Sequence, residues 1–269
     1  MDLTRCGQYI LHDRLNEGGT AEVFLATAPD NRTVVVRRLQ PRFRFNLGQR
    51  RKFMHGLRIH AQMRHENIVG VLATANDWLV PYGVLEHVDG PNLRILLSKQ
   101  DPALRDPILI FRQMLLALQQ VHRQGYLHLD FKPENVLLNR DRVVKLLDFD
   151  LALKISRKPV PQSNLSGTPS YLAPEQILRE PVDERTDIFS LGVTAYEVFV
   201  GQKPFIPMDR REIMNAYTAL DTAFPSPKTL KPAIPPRLSR LLSNCIEKRP
   251  DRRYPTVSLI LRDLLEIAP

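Results

Sequence analysis

Cysteine is nearly missing from this sequence. Cys6 and Cys245 alone cannot build a disulfide framework, which excludes a bridge-stabilised secreted scaffold and fits a reducing cytoplasm. No apolar run is long enough to span a bilayer; the best one, between Leu191 and Val200, is interrupted by Glu197. The opening MDLTRCGQYI lacks the basic start and apolar stretch of a secretion signal. There is no internal repeat and no low-complexity tail. Apolar residues are not scarce: they form 43% of the 269 residues, which excludes disorder as the governing property and leaves ample chain for one large domain or two small lobes.

Acidic side chains are absent between Asp30 and Glu66, while ten Arg or Lys fall in the same window: Arg32, Arg37, Arg38, Arg42, Arg44, Arg50, Arg51, Lys52, Arg58 and Arg64. The formal net charge of +9 therefore resides almost wholly in residues 31–65. Two readings stand. The window is a docking surface for something acidic, a protein substrate or regulatory protein, a nucleic acid or a membrane surface, or it is a solvated helix face whose arginine stems pack on apolar neighbours. Nothing in it points specifically to nucleic acid.

Hydrophobic spacing then divides the chain by character. Residues 9–15, 22–26 and 33–36 read as strands separated by turns. Residues 49–64 read as a helix with Phe53, Leu57, Ala61 and Met63 near one face. Strand character returns at residues 68–72 and 79–85. Beyond Asp89-Gly90 helices dominate. One enters at Asp106-Pro107 and leaves at Gly125, one covers 184–200 and ends at Gly201, and two follow the proline-rich stretch 225–236. Residues 136–138 and 143–147 flank Asn139-Arg140-Asp141 as a hairpin. Residues 154–170 read as a loop. A mostly β first third and a mostly α remainder predict an α+β fold in two lobes, 1–86 and 87–269, meeting near Glu86 to Gly90.

The residues that carry chemistry come next: His128-Leu129-Asp130-Phe131-Lys132-Pro133-Glu134-Asn135, then Asp148-Phe149-Asp150, then Gly167-Thr168-Pro169-Ser170-Tyr171-Leu172-Ala173-Pro174-Glu175. In this order they match H-x-D-x-K-P-x-N, D-F-x and A-P-E, and the chain resembles the eukaryotic-type protein kinase family, its bacterial Ser/Thr branch in particular, as a single domain over residues 9–265. The resemblance implies a bilobal fold, ATP and Mg²⁺ (with Mn²⁺ as an alternative) as cofactors, and transfer of a γ-phosphoryl group to protein Ser or Thr. It implies that Asp130 accepts the substrate hydroxyl proton, that Lys132 neutralises the moving phosphoryl group, and that Asn135 and Asp148 hold the metal. Such transfer needs positioning and charge stabilisation more than covalent help, which suits these residue types. Taken singly, each would be a loop carboxylate or a turn asparagine.

Further matches are looser. Residues 15–23 resemble the glycine-rich loop over the phosphates, yet only Gly18 fits its pattern; Gly19 adds backbone freedom, and Asn16 and Ala21 replace the outer glycines. Alone, this stretch is equally a plain hairpin. Residues 84–88 resemble the segment between the lobes, whose backbone at Glu86 and Val88 would pair with adenine, with Val23, Val35 and Leu137 around the base. Those apolar positions serve as core in either case. Asp187 resembles the buried helix aspartate that ties down the catalytic loop, and Arg253 the partner of Glu175, a pair that locks geometry.

The departures are equally specific. The strand lysine is replaced by Arg37, a forked and planar cation that does not substitute neutrally for an ammonium. Its helix glutamate is replaced by Gly56, so the family's ion pair cannot form in that arrangement; losing such a contact costs roughly 10² to 10³ in rate. Leu129 replaces the arginine before Asp130, which speaks against a phosphate switch at Ser163, Ser166 or Thr168. Asp150 replaces the glycine of D-F-G, restricting that backbone and adding a carboxylate near the metals. His60 takes the place of a leucine in the family's apolar stack, as a satisfied or exposed histidine.

Three function classes follow: a Mg-ATP-dependent Ser/Thr kinase of weakened activity, a pseudokinase acting as an interaction module, or a small-molecule phosphotransferase. The segment from Gly167 to Glu175, which implies a platform for protein substrates, speaks against the third.

Overall fold

Alternating residues in the first third of the chain build one antiparallel sheet. In this computed structural model, which describes residues 5–156, 168–205 and 209–267, its strands are β1 (Arg5–Cys6), β2 (Tyr9–Glu17), β3 (Ala21–Thr27), β4 (Thr33–Leu39), β5 (Val71–Asp77) and β6 (Val80–Glu86), ordered β1-β2-β3-β4-β6-β5. Helix α1 (Leu47–His60) lies between β4 and β5 in sequence. The two-residue period of β4 sorts its side chains. Val34 and Val36 enter a core with Phe24, Ala26, Tyr82 and Val84, while Leu39 joins Phe53 and Leu57 of α1. Arg37 shares the second face and opposes Val23 in register.

The amide of Asn46 caps α1, its Oδ1 accepting from the Gln49 N–H at 3.0 Å. Phe53, Gly56, Leu57 and His60 bury one face, but the helix ends at His60, four residues short of the expected end. Ala61 is exposed, and Met63 is buried in the loop that follows. The strand expected over 68–72 starts only at Val71, because Ile68 and Val69 are buried as loop residues and the Val69 carbonyl accepts from His60.

The second half is helical: α2 (Leu93–Lys99), α3 (Pro107–Arg123), β7 (Tyr126–Leu127), β8 (Val136–Leu138), β9 (Val144–Leu146), β10 (Leu153–Lys154), α4 (Pro174–Leu178), α5 (Glu184–Val200), α6 (Arg210–Thr218), α7 (Pro227–Leu230), α8 (Pro236–Cys245) and α9 (Val257–Ile267). Helix α5 is its axis. Asp183 caps it, and Gly201 closes it at φ 93°, where a side chain would strain the backbone. It is buried on nearly every side. Gly192 lets α8 come close, since a Cβ there would stand 2.7 Å from the Cys245 Cβ.

The described residues divide into two compact units. One runs to Asp89 and includes Leu147–Asp150; the other comprises Gly90–Leu146 and the chain from Leu151 onward. The division after Asp89 lies three residues past the 1–86 bound and inside the interval Glu86 to Gly90, and one short segment returns to the first unit. The α+β class holds, with a β-rich first unit and a helical second one. Among the described residues no helix is long and apolar enough to cross a membrane.

Candidate active site

In the helical unit, the turn from His128 to Asn135 is built on one buried carboxylate. Asp187, on α5, is fully buried and accepts the backbone N–H of His128 at 2.8 Å and of Leu129 at 2.7 Å, while the His122 ring lies 2.9 Å away. Burial by itself raises the Asp187 pKa, but the His122 hydrogen bond, the nearby His122 and His128 rings and the backbone donor outweigh it and hold the group below its ordinary value. These bonds secure Leu129 at φ 62°, a left-handed conformation costly for a residue with a side chain.

The turn so held presents Asp130. Lys132 Nζ lies 3.0 and 2.7 Å from its two carboxylate oxygens. Asn135, in a 3₁₀ turn over Pro133–Asn135, donates from Nδ2 to the Asp130 carbonyl at 2.8 Å and to Oδ2 at 3.0 Å. Because both acceptors demand the NH₂ end, Oδ1 of Asn135 is the end turned away from Asp130, a hard oxygen of the kind that Mg²⁺ takes. The structure thus gathers Asp130, Lys132 and Asn135 on one turn. Leu137 belongs to the same unit, on β8.

The scaffold residues sit deeper. Arg253 donates to the two Glu175 oxygens at 2.7 and 2.9 Å, and also to the carbonyls of Arg185, Glu247 and Lys248. Both side chains of the pair are almost wholly buried. A second network had no signal in the sequence. Arg94 of α2 donates to Glu134 at 2.9 Å, to Glu197 at 2.7 and 3.1 Å, and to the Tyr171 hydroxyl, which itself donates to Glu197 at 2.6 Å. It fastens the turn bearing Asn135 to α5, yet a lone arginine in an apolar helix announces nothing.

In the β-rich unit, Arg37 is the focus. Its guanidinium forms a two-pronged pair with Asp150, at 3.0 and 2.5 Å, stands 3.5 Å from Asp148 Oδ1, and lies over the Phe53 ring at 5.0 Å. Burial by itself lowers the Arg37 pKa; the Asp148 and Asp150 carboxylates reverse that and push it up. The Asp150 carboxylate, expected as an addition near the metals, is thus committed to Arg37. Asp148 takes φ 65° and its Oδ1 accepts the Asp150 N–H at 3.2 Å. Phe149 stacks on His60 with ring centres 4.6 Å apart, and His60 Nε2 donates to the Val69 carbonyl at 2.7 Å, so His60 is a satisfied core histidine.

The glycine-rich turn is tied down by its carbonyls. Gln40 donates to the Gly18 oxygen at 2.8 Å and Arg42 to the Gly19 oxygen at 3.2 Å. A Cβ on Gly19 would meet nothing within 4 Å. Val35 lies between Leu25 and Leu85 in the sheet register. The Glu86 N–H goes to the Gly70 carbonyl at 2.9 Å, and Val88 is half-buried just past β6. Ser163, Ser166 and Gly167 lie outside the described residues. Of the basic window, Arg32 pairs with Asp30, and Arg38 pairs with Glu22 at 3.0 Å. Arg50, Arg51, Lys52 and Arg58 instead line an open cleft of about 690 Å³ along α1, with Leu47, Met54, His55 and Asn76.

A strand cation facing a helix, and an aspartate, a lysine and an asparagine gathered on a turn locked from below, define the protein kinase class of fold. The model of the protein kinase domain matches residues 9–264, and the chain belongs to that family. It is 31% identical over 279 residues to the serine/threonine-protein kinase PksC of Streptomyces coelicolor, a match covering 97% of this chain and 49% of that protein. It is 29% identical to the serine/threonine-protein kinase PknL of Mycobacterium tuberculosis, over 97% of this chain and 66% of that one. It is 30% identical to the serine/threonine-protein kinase PknB of Mycolicibacterium smegmatis, over 97% of this chain and 43% of that one. The chain therefore spans between 43% and 66% of the length of these relatives.

Proposed function

We propose that the chain is a Ser/Thr protein kinase domain that transfers the γ-phosphoryl group of Mg-ATP to protein hydroxyls. The observation that carries this reading is the convergence of Lys132 and Asn135 on Asp130, at 2.7 and 3.0 Å from its Oδ2. The relatives' names, all serine/threonine-protein kinases, support the same reading.

The residues present suit Mg-ATP. Mg²⁺ is held by one or two protein oxygens plus phosphate oxygens rather than by a protein cage, and the Asp148 carboxylate in the β-rich unit and Asn135 Oδ1 in the helical unit are each oxygens of the kind it takes. The bound metal would supply neutralisation of phosphate charge. Asp130 orients the incoming hydroxyl and accepts its proton at the carboxylate. Lys132 carries a charge that moves from Asp130 to the transferred group as negative charge shifts. Arg37 serves the phosphates from the strand. The Asp187 bonds keep the Asp130 turn preorganised, so little reorganisation is left to the reaction.

A pseudokinase remains the second reading, favoured by Gly56 at the place of the helix acid. Labelled ATP with a generic protein substrate decides between them. Incorporation in the wild type that is lost in Asp130→Ala supports the kinase; none with either Mg²⁺ or Mn²⁺ leaves the pseudokinase. The cleft on α1 suits an acidic segment of a protein partner, because its lining carries three arginines, one lysine and no carboxylate. An acidic-tailed substrate peptide should then show a KM that rises with salt. In the triple reversal of Arg50, Arg51 and Lys52 to Glu that advantage should vanish; if it persists, the face is merely solvated.

A further inference from the structure

Three departures from the family pattern, Arg37, Gly56 and Asp150, lie far apart in sequence and come together in one place. Arg37 is a buried cation, its side chain 15% exposed, and a buried guanidinium needs a carboxylate. Helix α1, against which it lies, offers none, since no acid occurs between Asp30 and Glu66. The carboxylate comes instead from Asp150, which takes both prongs of the guanidinium. A lysine ammonium lacks that fork, so arginine is the cation this partner suits.

Gly56 explains how Asp150 gets there. Glycine weakens a helix interior, and Gly56 does not occupy the left-handed region that would justify it by backbone freedom. Space justifies it. A Cβ at residue 56 would stand 2.7 Å from Asp150 Oδ1, 2.8 Å from the Asp150 Cα and 2.9 Å from the Phe149 carbonyl. Two of those three neighbours are backbone, held in place while Asp150 grips Arg37. Any side chain on α1 at this position, a glutamate included, competes for the volume that Asp150 fills.

We propose that Asp150 is the positioning residue of Arg37: the carboxylate that holds the strand cation has moved from helix α1 to the segment that carries Asp148, and Gly56 is the vacancy that admits it. Arg37 and Asp148 are then registered to each other by one short piece of chain, Asp148-Phe149-Asp150, rather than through a helix. The cation's placement follows the conformation of that segment. This rests on the kinase reading, in which Arg37 serves the nucleotide phosphates.

The test is a relocation of the carboxylate. Asp150→Gly, Gly56→Glu and the double variant are compared with the wild type by Mg-ATP calorimetry, by the separate KM values for ATP and for peptide, and by melting without nucleotide. Asp150→Gly should weaken ATP binding at least about tenfold, the scale of one lost charge-assisted hydrogen bond, with the peptide KM unchanged. Gly56→Glu alone should lower the melting temperature and bind ATP poorly. The double variant, in which residue 150 no longer grips Arg37 and its glycine backbone is free to draw back from α1, should recover ATP affinity to within about threefold of wild type, a departure from additivity expected of residues that share a partner. Asp150→Asn is read in the same way should Asp150→Gly not fold. An Asp150 variant that melts lower yet binds ATP like the wild type overturns the proposal, and so does a double variant no better than the worse single. A wild type that neither binds ATP nor transfers phosphate overturns the kinase reading instead.

Discussion

Asp187 holds Leu129 by its backbone N–H, at 2.7 Å, in a conformation that a leucine adopts only at a cost. The next residue is Asp130, so the aim of that carboxylate depends on a buried side chain almost sixty positions away. One oxygen of Asp187 goes to Leu129 and the other to His128 and His122.

Asp187→Asn replaces one of those acceptors by an NH₂ group that faces an N–H donor. A buried donor left unsatisfied costs about 1–3 kcal/mol, more when the lost partner was charged. The variant is expected to melt lower, and its turnover is expected to fall further than its substrate KM rises, as Leu129 relaxes. Calorimetric melting with steady-state kinetics checks both.

The same carboxylate gives a pH signature. Its native pKa is depressed below the ordinary 3.8, despite burial, by the His122 bond and its other neighbours. A depressed carboxyl stabilises the fold at pH above the unfolded value, and that contribution is lost as pH falls through the native one. The stability gap between wild type and Asp187→Asn is therefore expected to be constant near neutrality and to narrow below about pH 4. Denaturant titrations across that range measure it; a gap that widens on acidification contradicts the assignment.

Glu175→Gln leaves the Arg253 guanidinium buried with no counter-charge, which costs roughly 3–5 kcal/mol. Arg253→Met in the same chain removes the stranded charge and is expected to recover part of the loss. Melting of the two singles and the double gives the coupling; strict additivity would show that the pair does not act as one.

Neither thiol is expected to react in the folded protein. Burial pushes the Cys6 thiol up to about 12, against the pull of Arg38, and pushes Cys245 up likewise. A thiol-specific chromogenic reagent should find no reactive group in the native state and two in denaturant. Rapid native labelling at either position would contradict this packing.

Local signals explain how much was legible. Helix α5 is expected over 184–200 and runs Glu184–Val200, its end marked in the sequence by Gly201, while the Asp183 cap is seen only in the fold. The β2–β4 strands are legible from the turns that separate them and from the β-branched run of β4. Helices α2 and α6 are not, being too short to show a period. The end of α1 is set by a tertiary bond, His60 to Val69, that no local pattern encodes. In the site, Asp130, Lys132 and Asn135 lie within one turn, and their proximity follows from spacing. Arg37 and Asp150 are 113 positions apart. The sequence displays a lost helix acid and a gained acid after Phe149 as two separate defects, and only the fold joins them.

The most direct measurement is Mg-ATP calorimetry on the wild type and on Asp148→Asn. Micromolar binding that needs the metal and is lost in the variant is expected if, as proposed, Asp148 supplies the metal's carboxylate and Arg37, held by Asp150, serves the phosphates. No binding up to millimolar ATP would contradict it and leave a kinase-family scaffold whose partner is to be sought at α1.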